Sequence, residues 1–93
     1  MIGIKRVHVI VAGRVQGVYF RAFTRDEAVR LGLSGWVRNR PNGSVEAIIE
    51  GKETAVEKML QWLHQGSPNS NVEKVEAIEE PPVGGAHTFE IFY

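Results

Sequence analysis

The segment Pro41-Asn42-Gly43 sits between two runs of alternating character, and it constrains this chain more than any other stretch. An Asn-Gly pair adopts the backbone angles of a tight turn without steric cost, so it pairs the strands on either side of it. Downstream, from Ser44 to Glu50, Val45, Ala47 and Ile49 alternate with Glu46, Ile48 and Glu50. That is the period of a half-buried strand. Upstream, Ser34 to Arg40 reads as its partner. A hairpin in the middle of 93 residues leaves room for one helix and a strand or two on each side.

Both flanks carry their own periodicity. Val7 to Gly13 reads as a β-branched strand, with Val7, Val9 and Val11 on one face. Gly13 and Gly17 then bracket a loop that opens a helix, along which Phe20, Thr24, Ala28 and Leu31 form one stripe before Gly32 stops it. A second helix is predicted from about Thr54 to Gln65. Thr54 and Glu57 have capping-box spacing, and Val56, Met59, Leu60 and Leu63 form the buried stripe. Gly66-Ser67-Pro68 ends that helix, because proline cannot continue the hydrogen-bond ladder. Asn69 to Asn71 reads as loop, Lys74 to Glu80 as a fourth strand, Pro81 to Ala86 as loop, and Thr88 to Tyr93 as a terminal strand. Val72 and Val75 fit the buried face of the fourth strand less neatly than the hairpin residues fit theirs.

The order strand, helix, strand, strand, helix, strand, strand is the split βαβ arrangement with a short C-terminal strand added. It predicts an α+β, ferredoxin-like sandwich over residues 1–93, a single domain, with both helices on one face of an antiparallel sheet. Ile10, Ile48 and Ile78 are expected to align on the opposite face and partly cover it.

Composition narrows the function. The charge is 11 minus 11, or zero, so no global basic field exists to hold nucleic acid or a membrane surface. Any anion site must be local. There is no cysteine, which removes disulfides, thiolate nucleophiles and cysteine-ligated zinc together. His8, His64 and His87 show no metal-ligand spacing with carboxylates, so no metal is expected. Met1-Ile2-Gly3-Ile4-Lys5-Arg6 has charges where a signal peptide needs an apolar stretch, and Val9-Ile10-Val11-Ala12 is far too short to span a bilayer. A cytoplasmic location is the expectation, and no membrane partner.

Chemistry concentrates in the first connection. A strand ends in glycine, a short loop carries a second glycine, and a helix opens at an arginine. Amides in such a loop can converge into a nest, and the helix N-terminus adds unsatisfied donors at the positive end of its dipole. Arg21 falls in the first helical turn, where a cation is electrostatically disfavoured unless a bound anion compensates it. Its planar fork suits two phosphate oxygens. The residues alone leave a second reading open, a glycine-rich turn with an exposed arginine. No Gly-Lys-Ser/Thr follows, so a nucleoside triphosphate with magnesium is not favoured. Asn42 before Gly43 reads as a turn residue, whereas Asn39 precedes the turn at the end of the second strand. In a split βαβ unit the first two strands run parallel with the third between them, so Asn39 and the Arg21 loop can share one edge.

Gly13-Arg14-Val15-Gln16-Gly17-Val18-Tyr19-Phe20-Arg21, followed by Gly35-Trp36-Val37-Arg38-Asn39, resembles the acylphosphatase family. The likeness continues through Gly43-Ser44-Val45-Glu46-Ala47, Trp62, Gly66-Ser67-Pro68 and Phe89-Glu90-Ile91-Phe92-Tyr93, nearly the whole chain. Tyr19 occupies a position that varies in the family. The resemblance implies hydrolysis of small-molecule acyl phosphates to a carboxylate and inorganic phosphate, the latter both product and inhibitor. It implies that Arg21 binds phosphate, that Val15, Gln16, Gly17, Val18, Tyr19 and Phe20 form the phosphate loop, and that Asn39 is catalytic. Neither a cofactor nor a phosphoenzyme belongs to that picture, and a monomer is expected.

Two other classes share the fold. RNA-recognition domains have the same element order but need exposed aromatics on the central strands, where this chain has His8, Ile10, Glu46, Ile48 and Glu50. The glutamates would repel phosphate. A small-ligand sensor, or an acylphosphatase-like domain kept for another role, is the other alternative. Trp36 and Trp62 read as packing residues, and Glu53, Glu57 and Lys58 as a solvated helix face.

Overall fold

The computed structural model describes residues 3–93, and Met1 and Ile2 at the charged start lie outside them. The elements are β1 (Ile4–Arg14), α1 (Phe20–Arg30), β2 (Ser34–Asn39), β3 (Val45–Lys52), α2 (Glu53–Gln65), β4 (Asn71–Glu80) and β5 (Phe89–Phe92). They form one sheet in the order β4-β1-β3-β2-β5 with both helices on one face, the ferredoxin-like α+β arrangement. Every pairing is antiparallel except β5, which adds to the free edge of β2 in parallel and makes the sheet mixed.

The core follows from register. Val7, Val9 and Val11 of β1 stand opposite Ile49, Ala47 and Val45 of β3, and all six are at most 2 % exposed. Val37 of β2 continues the row beyond Ala47. Onto this face α1 lays Phe20, Thr24 and Ala28, and α2 lays Val56, Met59 and Leu63. Burying each large aliphatic or aromatic side chain contributes about 1.5–3 kcal/mol, so the hairpin register and the two helical stripes stabilise one another. Leu31 and Leu60, expected in the stripes, are only partly buried at their margins.

Two local expectations need correction. The capping box at Thr54 and Glu57 does not form. Helix α2 begins one residue earlier, at Glu53, with Lys52 as cap residue and no side-chain cap bond. Strand β3 runs directly into the helix, and the Glu53 amide is taken by the Gly3 carbonyl at 3.0 Å, so Thr54 lies inside the first turn. Strand β4 begins at Asn71, three residues before the expected start, because a bulge at Ala12/Gly13 lets β1 carry the pairing on to Gly13–Val72 and Arg14–Asn71. As an edge strand it is mostly exposed, with Val72 and Val75 partly buried against the core. The isoleucines share the open face, as expected, with Ile48 buried and Ile78 65 % exposed.

The same open face carries the paired charges. Glu50, 6 % exposed, accepts from Arg6 Nη1 at 3.0 Å and from the amides of Val83 and Gly84 at 3.2 and 2.8 Å. Burial pushes its carboxyl up, but the Gly84 amide, the Arg6 guanidinium and the Val83 amide together outweigh that and hold it below its ordinary value. This carboxylate straps the connection between β4 and β5 to the sheet. No helix among the described residues is long and apolar enough to cross a membrane.

At Gly35 the backbone of β2 lies close against that of β3. Its φ is +138°, and a Cβ there would lie 1.8 Å from the Ile48 carbonyl oxygen. Gly35→Ala is therefore expected to cost about 3 kcal/mol or more, through the clash and the disfavoured backbone angle together. Gly43→Ala, with φ +93° but nothing within 4 Å, is expected to cost about 1 kcal/mol. Urea unfolding of the two variants checks the contrast. Equal losses would refute the close-approach explanation.

Candidate active site

Because β1 and β2 both run antiparallel to β3, they are parallel to each other, and β5 is parallel to β2. Three strands therefore deliver their C-terminal ends to one edge of the domain. Strand β1 releases the loop that leads into α1, β2 ends at Asn39, and β5 ends beside Tyr93. Between them lies a cleft of about 390 Å³ lined by Val15, Gly17, Tyr19, Arg21, Asn39 and Tyr93, among others.

The loop is held from below. Val15, Val18 and Phe20 bury their side chains in the core, and Phe20 packs against Trp62 with ring centroids 6.1 Å apart. Ser67 Oγ donates to the Val18 carbonyl at 2.9 Å, and Ser70 Oγ donates in turn to the Ser67 carbonyl at 2.7 Å. Gln16 Nε2 donates to the carbonyls of Arg40 and Ser44, at 2.8 and 2.9 Å, so its side chain ties the loop to the hairpin. With the side chains of Val15, Gln16, Val18 and Phe20 held from below, the loop offers its backbone. None of the amides from Gln16 to Arg21 finds a backbone acceptor in a turn, loop or cap among the described residues. Gly17 and Tyr19 have φ of +73° and +59°, the left-handed residues that let successive amides converge on an anion. Tyr19 is the only non-glycine with positive φ among the described residues, a strain of about 1–3 kcal/mol located at the cleft rim.

Arg21 lies in the first turn of α1, which has no acidic residue. Its Nη1 donates to the Phe92 carbonyl at 3.1 Å, and its guanidinium lies 4.8 Å from the centre of the Tyr93 ring. It has no carboxylate partner among the described residues, so its charge is not neutralised by an ion pair. Asn39 is the last residue of β2, and its Oδ1 is buried without a hydrogen-bond partner. A buried acceptor left open beside a cation and a run of free donors is suited to an anion and a water, since an unmatched buried polar atom otherwise costs about 1–3 kcal/mol. Asn42, by contrast, is a turn residue as expected: its Oδ1 accepts from the Ser44 amide and hydroxyl at 3.1 and 2.6 Å.

Of the residues the sequence pointed to, Val15, Gly17, Tyr19, Phe20, Arg21 and Asn39 line the same cleft. Gln16 and Val18 do not line it. Their side chains tether and anchor the loop, and only their backbone is free to face a ligand. Sequence reasoning missed the parts of Phe92 and Tyr93, because a parallel strand added at an edge leaves no turn signal to read. No group of three or more His, Cys, Asp or Glu side chains converges among the described residues.

A family model described as acylphosphatase matches residues 7–91. An acylphosphatase of Rubrobacter xylanophilus is 58 % identical over 87 residues, spanning 94 % of this chain and 79 % of that protein. Among solved structures, the crystal structure of acylphosphatase from Bacillus subtilis superposes with a TM-score of 0.92 at 42 % identity, over 96 % of this chain and 99 % of that one. An acylphosphatase structure from Coxiella burnetii gives 0.90 at 35 % identity, over 96 % and 93 %.

If Gln16 sets the position of the loop, Gln16→Ala should lower the unfolding free energy by about 1–2 kcal/mol, the worth of two lost hydrogen bonds. It should also raise the dissociation constant for inorganic phosphate severalfold. Melting and calorimetry on one preparation check both effects. Lowered stability with unchanged phosphate affinity would confine Gln16 to scaffolding.

Proposed function

This chain belongs to the acylphosphatase family, and from that premise we propose that it hydrolyses acyl phosphates by direct attack of water on a phosphoryl group held by Arg21 and the loop amides. The observation that carries this reading is the meeting of three things in one cleft: an arginine without a carboxylate partner, a run of amides without backbone acceptors, and the open Oδ1 of Asn39.

The phosphoryl oxygens lie against the amides of Val15 to Phe20 and the fork of Arg21, where their charge is densest. Asn39 Oδ1 accepts from the attacking water and aims its lone pair at phosphorus, in line with the bond to the acyl oxygen. The new P–O bond forms as the old one breaks. The acyl group departs as a carboxylate, and the proton shed by the water passes to a phosphoryl oxygen. Since the leaving group is stable as an anion, no strong general acid is required. With a loose transition state, positioning and electrostatics supply most of the rate. Direct transfer to water, without a covalent phosphoenzyme, completes this reading. Inorganic phosphate, sharing the same donors, is product and inhibitor. A working monomer and a cytoplasmic location belong to the same reading, and a cysteine-free sequence suits the latter. The RNA-binding alternative is disfavoured because the central strands present Arg6, His8, Ile10, Glu46, Ile48 and Glu50 on the open face, and no Phe, Tyr or Trp.

Arg21 and Asn39 are expected to separate kinetically. Arg21→Ala should abolish turnover and phosphate binding together while changing stability by only about 1 kcal/mol, the worth of its hydrogen bond to the Phe92 carbonyl. Arg21→Lys should also be poor, since an ammonium cannot reproduce the bidentate fork. Asn39→Ala should lower kcat about 100-fold or more and leave phosphate affinity nearly unchanged, because only the nucleophile loses its orientation. Asn39→Asp should fare no better, as it sets a negative charge beside the phosphoryl group. Turnover of a generic acyl phosphate against a stable phosphomonoester, with phosphate calorimetry, tests the set. A folded, fully active Asn39→Ala protein would remove Asn39 from the mechanism.

Turnover is also expected to survive exhaustive treatment with EDTA, since Arg21 and the amides already neutralise the phosphate. Activity lost to the chelator and restored by a divalent cation would refute the metal-free reading.

A further inference from the structure

Trp36 lies outside the cleft, on the open face of the sheet opposite Ile48, and the mechanism above does not use it. Its indole stacks on the Phe92 ring, with centroids 5.5 Å apart and planes 21° from parallel. Phe92 is also the residue whose carbonyl receives Arg21 Nη1, and the next residue, Tyr93, sets its ring beside the same guanidinium. Both contacts of Arg21 thus come from the end of β5. That strand is four residues long and pairs on one side only, with β2. Phe92 is itself 42 % exposed, so its stack on Trp36 joins the core packing of Ile91 in anchoring the strand end.

The indole is held in turn. The Arg38 guanidinium lies 5.2 Å from the Trp36 ring centre, and Arg38 Nε donates to Glu46 at 2.7 Å. The second oxygen of Glu46 meets His8 Nε2 at 2.6 Å. The His8 hydrogen bond, with that of Arg38, keeps the Glu46 carboxyl below its ordinary value despite its burial, so the anchor stays ionised near neutrality. A continuous packed and hydrogen-bonded row therefore runs from His8 through Glu46, Arg38, Trp36 and Phe92 to Arg21.

We propose that Trp36 is a positioning residue for the phosphoryl-binding guanidinium, acting through the Phe92 ring it stacks on. The inference rests on the reading that Arg21 binds the phosphoryl group. An arginine side chain with many rotamers loses freedom when it clamps a ligand, and one already held against a carbonyl and an aromatic ring loses less. Removing the indole frees the end of β5, and both holds on Arg21 loosen with it.

The test measures inorganic phosphate binding by calorimetry and KM for an acyl phosphate, both well below the melting temperature. Trp36→Ala is expected to weaken phosphate binding and raise KM about five- to tenfold. Trp36→Phe, which keeps a flat ring for Phe92, should restore both to within about twofold, whereas Trp36→Leu, which fills space without a ring, should not. Should Trp36→Ala fail to fold, Phe92→Ala asks the same question, since it deletes the stacking ring and keeps the carbonyl. Phosphate affinity at the wild-type level in a folded Trp36→Ala or Phe92→Ala protein overturns the inference, as does rescue by leucine equal to that by phenylalanine. Wild-type protein that binds no phosphate overturns the reading of the cleft itself, and the inference with it.

Discussion

Strand β3 pairs antiparallel with β1 along one side and with β2 along the other, and the rest of the molecule depends on that double pairing. One strand used twice forces its two neighbours to point the same way. Their ends then share an edge, and the loop after β1 comes to face Asn39 across it. The register is secured by burial: a slip of one residue would turn Glu46 and Glu50 toward the helices and Ala47 and Ile49 away from them. Gly35 takes part in the same constraint, because β2 can lie this close to the Ile48 carbonyl only where no Cβ intervenes.

The two faces of the sheet do different work. The helix-covered face is almost purely apolar, and its exceptions are few: Thr24 Oγ1, for instance, is buried without a partner. The open face instead neutralises charge within itself, through Arg6 with Glu50 and Glu80, and through Glu46 with Arg38. Elsewhere Lys5 meets Glu57 at 2.6 Å and Arg30 pairs with Glu27, so much of the zero net charge is accounted for pair by pair. Arg14, Arg21, Arg40, Lys52 and Lys58 have no carboxylate partner among the described residues, and of these Arg21 is the one that lines the cleft. A neutral protein can attract an anion to one place if one cation there is left without a carboxylate and is backed by a helix N-terminus.

Much of this was legible in the sequence where a period or a punctuation residue recorded it. The Asn42-Gly43 turn, the alternation from Val45 to Ile49 and the stripe Phe20, Thr24, Ala28 each repeat at the spacing of the element they build, and each is found in place. The shared edge of Arg21 and Asn39 followed from topology alone. Features that depend on partners distant in sequence were not legible. The Gln16 side chain is tied to carbonyls 24 and 28 residues away, and nothing local marks it as a tether. The Thr54 capping box failed because β3 and the Gly3 carbonyl decide where α2 begins, overriding a local pattern. The parallel seat of β5 left no trace, since a parallel pair needs no turn between its strands. The terminal residues therefore looked like an ordinary strand instead of the support of the arginine in the cleft.

The cleft draws on residues 15–21, on Asn39 and on the strand end at residues 91–93, so no local stretch of chain contains it. It comes into being only when the first, middle and last parts of the polypeptide have all docked. Its weakest contributor is the shortest strand, at the margin of the sheet, where fraying requires far less free energy than global unfolding. Being folded and being competent are thus different thresholds for this protein. A population can keep its central strands and both helices in register, and look native to any probe of the core, while a fraction of its molecules has already lost the grip on Arg21.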